Sequence, residues 1–288
     1  MSKEGALFFK KGEESLKKYN RNGKEKKLVE AIEFFSKSAD YYESSNDWAQ
    51  AGESYYKASD CLQNHNQLSD AAIAATNAGK MFSKNHDTSQ KAYDAFSLAA
   101  RFYRENSKPT QGAQVLCESG KLFDDKKEYD LAIQCYKDAA QIYDDENKSI
   151  QAANQISIIA DIYSTQNKWI EASDYFKDVA KRRYSQPLTK VSAIEFCMKS
   201  IICRMAADDI IGAEKYLNEY LMDFPAWEKS REYVMLRGLA HAINNHDSDE
   251  FTKIVEGYAE FTTLDNWMVH SLDVIKKLIE NGEEEEIC

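Results

Sequence analysis

Apolar residues recur at helical spacing along nearly the whole chain, and short polar segments interrupt them at regular intervals. Small residues reveal a longer period within this pattern. A trio of two alanines and a tyrosine, with spacings of 8 and 3, occurs three times: Ala31, Ala39 and Tyr42, then Ala92, Ala100 and Tyr103, then Ala132, Ala140 and Tyr143. The series continues with Ala172 and Ala213, after steps of 40 and 41 residues. This spacing predicts a repeating unit of about 40 residues.

A second series lies between these copies and places a small residue three positions before an aromatic one. Its members end at Phe82, Phe123 and Tyr163, which are 41 and 40 residues apart. We interpret the small residues as points where neighbouring helices approach closely, and the aromatic residues as groove-filling side chains rather than a ligand site. The sequence therefore predicts an all-α, tetratricopeptide-like solenoid of helical hairpins, with roughly fourteen helices.

The 40-residue period is lost beyond about residue 207, although helical spacing continues. We expect a helical-repeat domain at residues 1–207, a C-terminal helical capping bundle at 208–280, and an acidic tail at 281–288. Trp48 and Trp169 each follow a short turn that contains asparagine, and we expect a helix to begin at each.

Composition narrows the class of protein. The chain has 288 residues and a formal net charge of -11, which argues against a nucleic-acid binder and suggests a basic protein partner. Five of the six cysteines lie in apolar helical patterns, which indicates reduced core residues of a cytoplasmic protein rather than disulfides or zinc ligands. No stretch approaches the roughly 20 apolar residues that a membrane span requires, so we expect a soluble protein.

Motifs for catalysis or cofactor binding are not recognisable. Gly79-Lys80 and Gly120-Lys121 lack the following Ser or Thr of a phosphate-binding loop. His241 and His246 are five residues apart, a spacing that does not place two zinc ligands on one helical face. We expect no enzyme, no cofactor and no metal site.

A basic segment from Leu16 to Lys27 is not explained by core packing. Its candidate contact residues are Lys17, Lys18, Tyr19, Arg21, Lys24, Lys26 and Lys27. Asn22-Gly23 breaks the helical pattern, so we expect the segment to be a loop between the first and second helices. It is either a solvated charged loop or a basic patch that rests on an anionic membrane surface.

The tail is the second unexplained segment. We expect the last helix to end at Asn281-Gly282, because glycine is a common C-terminal stop and four adjacent carboxylates repel one another. Beyond it lie Glu283, Glu284, Glu285, Glu286, Ile287 and Cys288. The tail is either a frayed solubilising segment or a linear motif that offers charge to a basic groove and one apolar side chain to a pocket.

Three short segments are distinctive: Asp47–Gly52 reads Asp-Trp-Ala-Gln-Ala-Gly, Asp223–Trp227 reads Asp-Phe-Pro-Ala-Trp, and Leu264–Trp267 reads Leu-Asp-Asn-Trp. Together with the acidic tail and its penultimate aliphatic residue, they resemble the soluble NSF attachment protein family over nearly the whole chain. The segment Glu105–Pro109 and the terminal Cys288 resemble the gamma type more than the alpha type.

This resemblance implies a non-catalytic, cytoplasmic adaptor, peripherally associated with membranes, that links SNARE complexes to the NSF ATPase for SNARE disassembly in vesicle fusion and trafficking. It implies that acidic residues and one aliphatic residue contact the N-terminal domain of NSF: Asp209, Glu283, Glu284, Glu285, Glu286 and Ile287. The basic residues left to contact a SNARE bundle, or else to be solvated, are Lys80, Lys121, Lys181, Arg182 and Arg183. The alternative is a tetratricopeptide-like, peptide-binding scaffold unrelated to membrane fusion.

Overall fold

The computed structural model describes residues 2–287, and the side chains of residues 2–281. Fourteen α-helices and no β-strand are present in this part of the chain, which confirms the all-α class and the predicted number of helices. The helices are α1 (Lys3–Asn22), α2 (Glu25–Ser44), α3 (Trp48–Asn64), α4 (Leu68–Phe82), α5 (Ser89–Glu105), α6 (Pro109–Asp125), α7 (Tyr129–Asp145), α8 (Ser149–Thr165), α9 (Trp169–Tyr184), α10 (Ala193–Ala206), α11 (Ile210–Asp223), α12 (Arg231–Asn244), α13 (Ser248–Ala259) and α14 (Asn266–Ile287). Short 3₁₀ helices lie at His86–Thr88 and Pro225–Lys229.

The first compact unit, Met1–Lys148, contains α1 to α7, and within it each helix from α1 to α6 packs against the next one in the chain. The repeated alanines lie at the helix contacts and are 0–5% exposed: Ala31, Ala39, Ala92, Ala100, Ala132 and Ala140. The helical-hairpin repeat that the sequence predicts is therefore confirmed, with the small residues as its contact points.

Eight of the turns between helices share one backbone form. In each of them a non-glycine residue has a positive φ, between 51° and 61°: Asn46, Asn66, Ser107, Lys127, Asn147, Asn167, Asp208 and His246. The next residue donates its N–H to a carbonyl five positions earlier, as Lys108 does to Tyr103 at 2.8 Å. Such left-handed caps satisfy helix C-terminal carbonyls. The predicted helix starts at Trp48 and Trp169 are confirmed.

Glycines lie where an aromatic ring from the following helix meets the backbone. A Cβ atom added to Gly79 would lie 2.7 Å from the Phe96 ring, and one added to Gly120 would lie 3.0 Å from the Tyr136 ring. The Gly-Lys pairs at these positions are thus helix contacts, as the sequence indicated.

The second compact unit, Ser149–Cys288, contains α8 to α14. Its central helix is α10, which packs against α9, α11, α12 and α14. Trp227, 1% exposed, belongs to the 3₁₀ helix and packs edge-on against Tyr220 and Tyr233. The predicted division at residues 207 and 208 differs from this division into units and stays a prediction.

Two expectations about chain ends and loops are wrong. The basic segment is not a loop, because residues 16–22 belong to α1 and residues 25–27 to α2, so that only Gly23 and Lys24 lie between the helices. Lys, Arg and Glu are good helix formers, and only Gly23, with φ of 62°, breaks the pattern. Helix α14 does not stop at Asn281-Gly282 but continues to Ile287, since glutamate favours helix and a single glycine costs only about 1 kcal/mol.

Candidate functional site

The basic segment forms the tip of the α1–α2 hairpin. Gly23 adopts a left-handed conformation and donates its N–H to the carbonyl of Tyr19 at 2.7 Å, which reverses the chain. The exposed cationic side chains of this hairpin tip are Lys17, Lys18, Arg21, Lys24 and Lys26. Lys27 pairs with Glu30 at 2.5 Å, and this hydrogen bond lowers the pKa of Glu30. The tip therefore brings five exposed cations together, as a membrane-facing patch requires.

Tyr19 differs from its cationic neighbours. Its ring is partly buried against the core cluster that contains Leu28 and Phe35. The part of this side chain that could contact a membrane is correspondingly small.

An aromatic cluster on the same hairpin was missed by sequence reasoning. Phe8 stacks on Tyr41 with ring centroids 5.4 Å apart, and the ammonium of Lys11 lies 5.2 Å from the Phe8 ring and 5.9 Å from Phe34. Leu7 beside it is 52% exposed. The detectable signal was the pair Phe8-Phe9, because adjacent helical residues point to different faces and only Phe9 packs against the core.

Lys80 and Lys121 are both exposed and occupy matching places in α4 and α6, each one residue after a buried glycine. The matching residue of α8 is Asp161, which reverses the charge. Asp161 lies 3.8 Å from the ammonium of Lys199. The position that follows the small residue is therefore basic in α4 and α6, but it is acidic in α8.

The three basic residues at the end of α9 have different surroundings. Lys181 is exposed, whereas Arg182 pairs with Asp178 at 2.9 Å. Arg183 donates to Asn154 at 2.8 Å and to Ser192 at 3.2 Å. Cationic side chains at the C-terminus of a helix are also stabilised by the negative end of the helix dipole. Arg183 is thus committed to internal contacts, and Lys181 is the most accessible of the three.

Asp209 lies at the N-terminus of α11. One carboxylate oxygen accepts the N–H of Gly212 at 2.9 Å, and the other accepts a hydrogen bond from Arg204 at 2.9 Å. Arg204 also donates to Asp174 at 2.5 Å and to the Tyr216 hydroxyl at 2.9 Å. Burial, followed by the Asp174 hydrogen bond, raises the pKa of Tyr216 to about 12. Asp209 therefore caps a helix and completes a polar network, and its side chain is 33% exposed.

The other predicted contact residues lie in the tail. The backbone of Glu283, Glu284, Glu285, Glu286 and Ile287 belongs to α14, but their side chains lie outside the described residues, as does the whole of Cys288. In the described part of the chain, no helix combines the length and the apolar character that crossing a bilayer demands. Within the same residues, no group of three His, Cys, Asp or Glu side chains is placed to hold a metal ion.

The family model described as "Soluble NSF attachment protein, SNAP" matches residues 3–280. The chain belongs to the soluble NSF attachment protein family. Whether the chain is of the gamma or the alpha type stays a prediction.

Several members of this family are similar over a shorter stretch. The chain is 30% identical over 112 residues to the alpha-soluble NSF attachment protein of Homo sapiens, which is 39% of this chain and 38% of that protein. It is 30% identical over 114 residues to that of Dictyostelium discoideum, covering 40% and 39%, and 28% identical over 112 residues to that of Saccharomyces cerevisiae, covering 39% and 38%. The chain therefore matches less than two fifths of the length of these relatives.

A solved structure with helical repeats is also similar. The signal transduction ATPase with a tetratricopeptide repeat sensor from Pyrococcus horikoshii has a TM-score of 0.45 and 16% sequence identity, covering 93% of this chain and 44% of that one.

Proposed function

We propose that this protein is a non-catalytic adaptor that links SNARE complexes to the NSF ATPase, so that the complexes are disassembled in vesicle fusion and trafficking. The match of the family model to residues 3–280 carries this proposal. Exposed Lys80, Lys121 and Lys181 supply positive charge for a SNARE bundle, while the net charge of -11 and the acidic tail suit a basic surface on NSF. No chemistry is assigned to the adaptor itself.

The protein acts in the cytoplasm and associates peripherally with membranes under this proposal. The hairpin tip supports the association, because its five exposed cations lie together and each contributes about 1 kcal/mol near an anionic surface. The aromatic cluster around Phe8 lies on the same hairpin and adds an apolar contact.

A peptide-binding scaffold is the competing function, and one groove bears on it. This groove, of about 230 Å³, lies among α5, α6 and α7 and is lined by Arg101, Arg104, Asp138 and Asp145. A clamp for a peptide carboxylate needs a basic groove, whereas this lining carries equal numbers of both charges. The mixed lining favours the adaptor.

The test is capture of two purified partners, the cytosolic SNARE bundle and NSF, by the immobilised protein at low and moderate salt. We expect salt-sensitive capture of both, and we expect Ile287→Ala to weaken stimulation of the NSF ATPase. Val234→Ala is the matched control, since Val234 is an aliphatic residue of α12 with 65% exposure. Failure to capture either partner would overturn the adaptor proposal.

A second pair of variants addresses the SNARE contact. The double variant Lys80→Glu with Lys121→Glu should weaken capture of the SNARE bundle, because it replaces the exposed positive charges at the matching positions of α4 and α6 with negative ones. Lys37→Glu with Lys126→Glu, at exposed positions in α2 and just after α6, changes the net charge by the same amount and is the control. Equal losses in both variants would show that these helix faces are not the contact.

A further inference from the structure

A surface cavity of about 430 Å³ lies in the second unit, between α10, α12 and the segment that joins α13 to α14. Its lining combines apolar and charged side chains. The apolar part includes Val191, Ile194, Met198, Trp267 and Met268, and the charged part is Glu195, Lys199, Glu232 and Asp265. None of the lining residues belongs to the tail, the hairpin tip or the predicted SNARE contacts, although Arg183 donates a hydrogen bond to the lining residue Ser192.

Three carboxylates and one ammonium line this cavity, and the ammonium is already engaged. Lys199 lies 3.6 Å from Glu195 and 3.8 Å from Asp161, and its side chain is 12% exposed. Its ammonium also lies 5.1 Å from the centre of the Trp267 ring. Among the described residues no ion pair is formed by Glu232 or Asp265, although Asp265 accepts the N–H of Met268 at 2.7 Å.

Asp161, which lies next to the cavity lining, adds a further negative charge. Desolvation raises the pKa of Asp161, and although Lys199 lowers it, Glu195 and Asp265 raise it further. Asp265 is exposed, and the Tyr258 hydroxyl lies 3.5 Å from Glu232, at the outer limit of a hydrogen bond. A cation that enters the cavity meets acceptors on two different structural elements.

The segment between α9 and α10, residues 185–192, borders the cavity through Val191, which lines it and is 83% exposed, and we call this segment the rim. Leu188, three residues earlier in the rim, is 100% exposed. Thr189 donates to the carbonyl of Arg183 at 2.8 Å, and Ser192 donates to the carbonyl of Thr189 at 2.8 Å. A tethered segment that displays two aliphatic side chains beside a charged cavity is typical of a protein contact surface.

We propose that this cavity binds an arginine side chain of a protein partner, with an apolar residue next to that arginine resting on Leu188 and Val191. A guanidinium carries five N–H donors in a planar fork, and Glu232 and Asp265 are the lining carboxylates that offer it acceptors. A lysine ammonium is a compact, strongly hydrated charge and is less suited to two separated carboxylates beside an aromatic ring. The proposal does not depend on the adaptor function.

Methyl NMR of the methionine side chains tests the proposal, because Met198 and Met268 line the cavity and the exposed Met222 does not. The probe is the peptide acetyl-Leu-Arg-Leu-amide. We expect saturable shifts at Met198 and Met268 and none at Met222. The same peptide with citrulline, which keeps the shape and removes the charge, should bind at least about tenfold more weakly.

Variants of the protein separate the charged and apolar parts of the contact. Glu232→Gln and Asp265→Asn should each weaken the arginine peptide several-fold, and Asp265→Asn can still accept the Met268 N–H that it now accepts at 2.7 Å. Leu188→Ser tests the apolar contact at the rim, because Leu188 is fully exposed and takes no part in core packing. Glu228→Gln, at an exposed position of the same unit, is the control and should leave binding unchanged.

Three results would overturn the proposal. These are no saturable shift up to about 10 mM peptide, equal binding of the citrulline peptide, or equal binding of a lysine peptide. The last two would show that the cavity selects shape or charge alone rather than a guanidinium.

Discussion

Gly79 of α4 lies against the ring of Phe96 in α5, so closely that a Cβ atom at position 79 would be 2.7 Å from the ring carbons. Phe96 is 2% exposed and also packs edge-on against Phe123, with centroids 6.3 Å apart. The ring cannot move aside without disturbing the next hairpin.

Gly79→Ala should therefore lower the free energy of unfolding by about 1–3 kcal/mol, as overpacking of a core contact does. Urea unfolding followed by circular dichroism at 222 nm measures it. Gly257→Ala in α13 is the control, because a Cβ there meets nothing within 4 Å and alanine should stabilise the helix by up to about 1 kcal/mol. Phe96→Leu added to Gly79→Ala should restore part of the loss, and an unchanged stability of Gly79→Ala would contradict this packing.

The glycine contacts and the helix starts could be predicted because they rest on local chemistry. An Asn before Trp48 or Trp169 favours the left-handed backbone that ends the preceding helix, and the aromatic then begins the next one. Lys127 adopts the same backbone without any such preference, and there the N–H of Glu128 closes the turn on the carbonyl of Phe123 at 2.9 Å. The run of lysines around Gly23 was predicted to be a loop because Asn22-Gly23 breaks the helical pattern, although the flanking residues are themselves helix formers.

The candidate site was predictable only in part. The sequence indicates which residues are charged, but not that Arg204 folds back across the turn to reach Asp209, or that Arg183 bridges Asn154 and Ser192. These pairings depend on how consecutive helices cross, which residue spacing does not specify. The rim residue Leu188 carried no signal either, because exposed aliphatic residues are common on protein surfaces.

Asp209 is expected to stabilise the protein through its cap, and two substitutions separate this role from a contact with NSF. Asp209→Ala removes the acceptor for Gly212 and should cost about 1–2 kcal/mol, whereas Asp209→Asn keeps a good N-cap and should cost less. Thermal unfolding compares them. In NSF capture, loss of binding by the folded Asn variant would indicate that the charge faces NSF; normal capture would limit Asp209 to its structural role.

Glu219 should make a stabilising contribution that depends on pH. Lys177 of α9 donates to Glu219 of α11, and this hydrogen bond lowers the pKa of Glu219. Because the folded-state pKa lies below the unfolded one, the contribution is fully present above about pH 4.3 and is lost as pH falls through the folded-state pKa. Glu219→Gln should thus cost about 0.5–1 kcal/mol at pH 7.

Urea unfolding of parent and Glu219→Gln from pH 7 to pH 3 measures this difference. The two curves should converge at the acid end, and the gap at pH 7 should narrow in 1 M salt, which screens partly exposed pairs. Glu228→Gln should show no such convergence. A gap that stays constant with pH would mean that the substitution acts through packing instead.

The hairpin tip should bind anionic vesicles through charge. Replacing Lys17, Lys18 and Arg21 with Gln removes three exposed cations, and at about 1 kcal/mol each this should weaken binding by about 100-fold. Co-sedimentation with phosphatidylserine-containing vesicles at 0.1 M and 0.5 M salt measures it. The matched control replaces Lys80, Lys121 and Lys126, which changes net charge equally on other exposed surfaces of the first unit. If both triple variants lose binding to the same extent, net charge rather than the hairpin tip governs the association; if only the first does, the five clustered cations are the membrane contact.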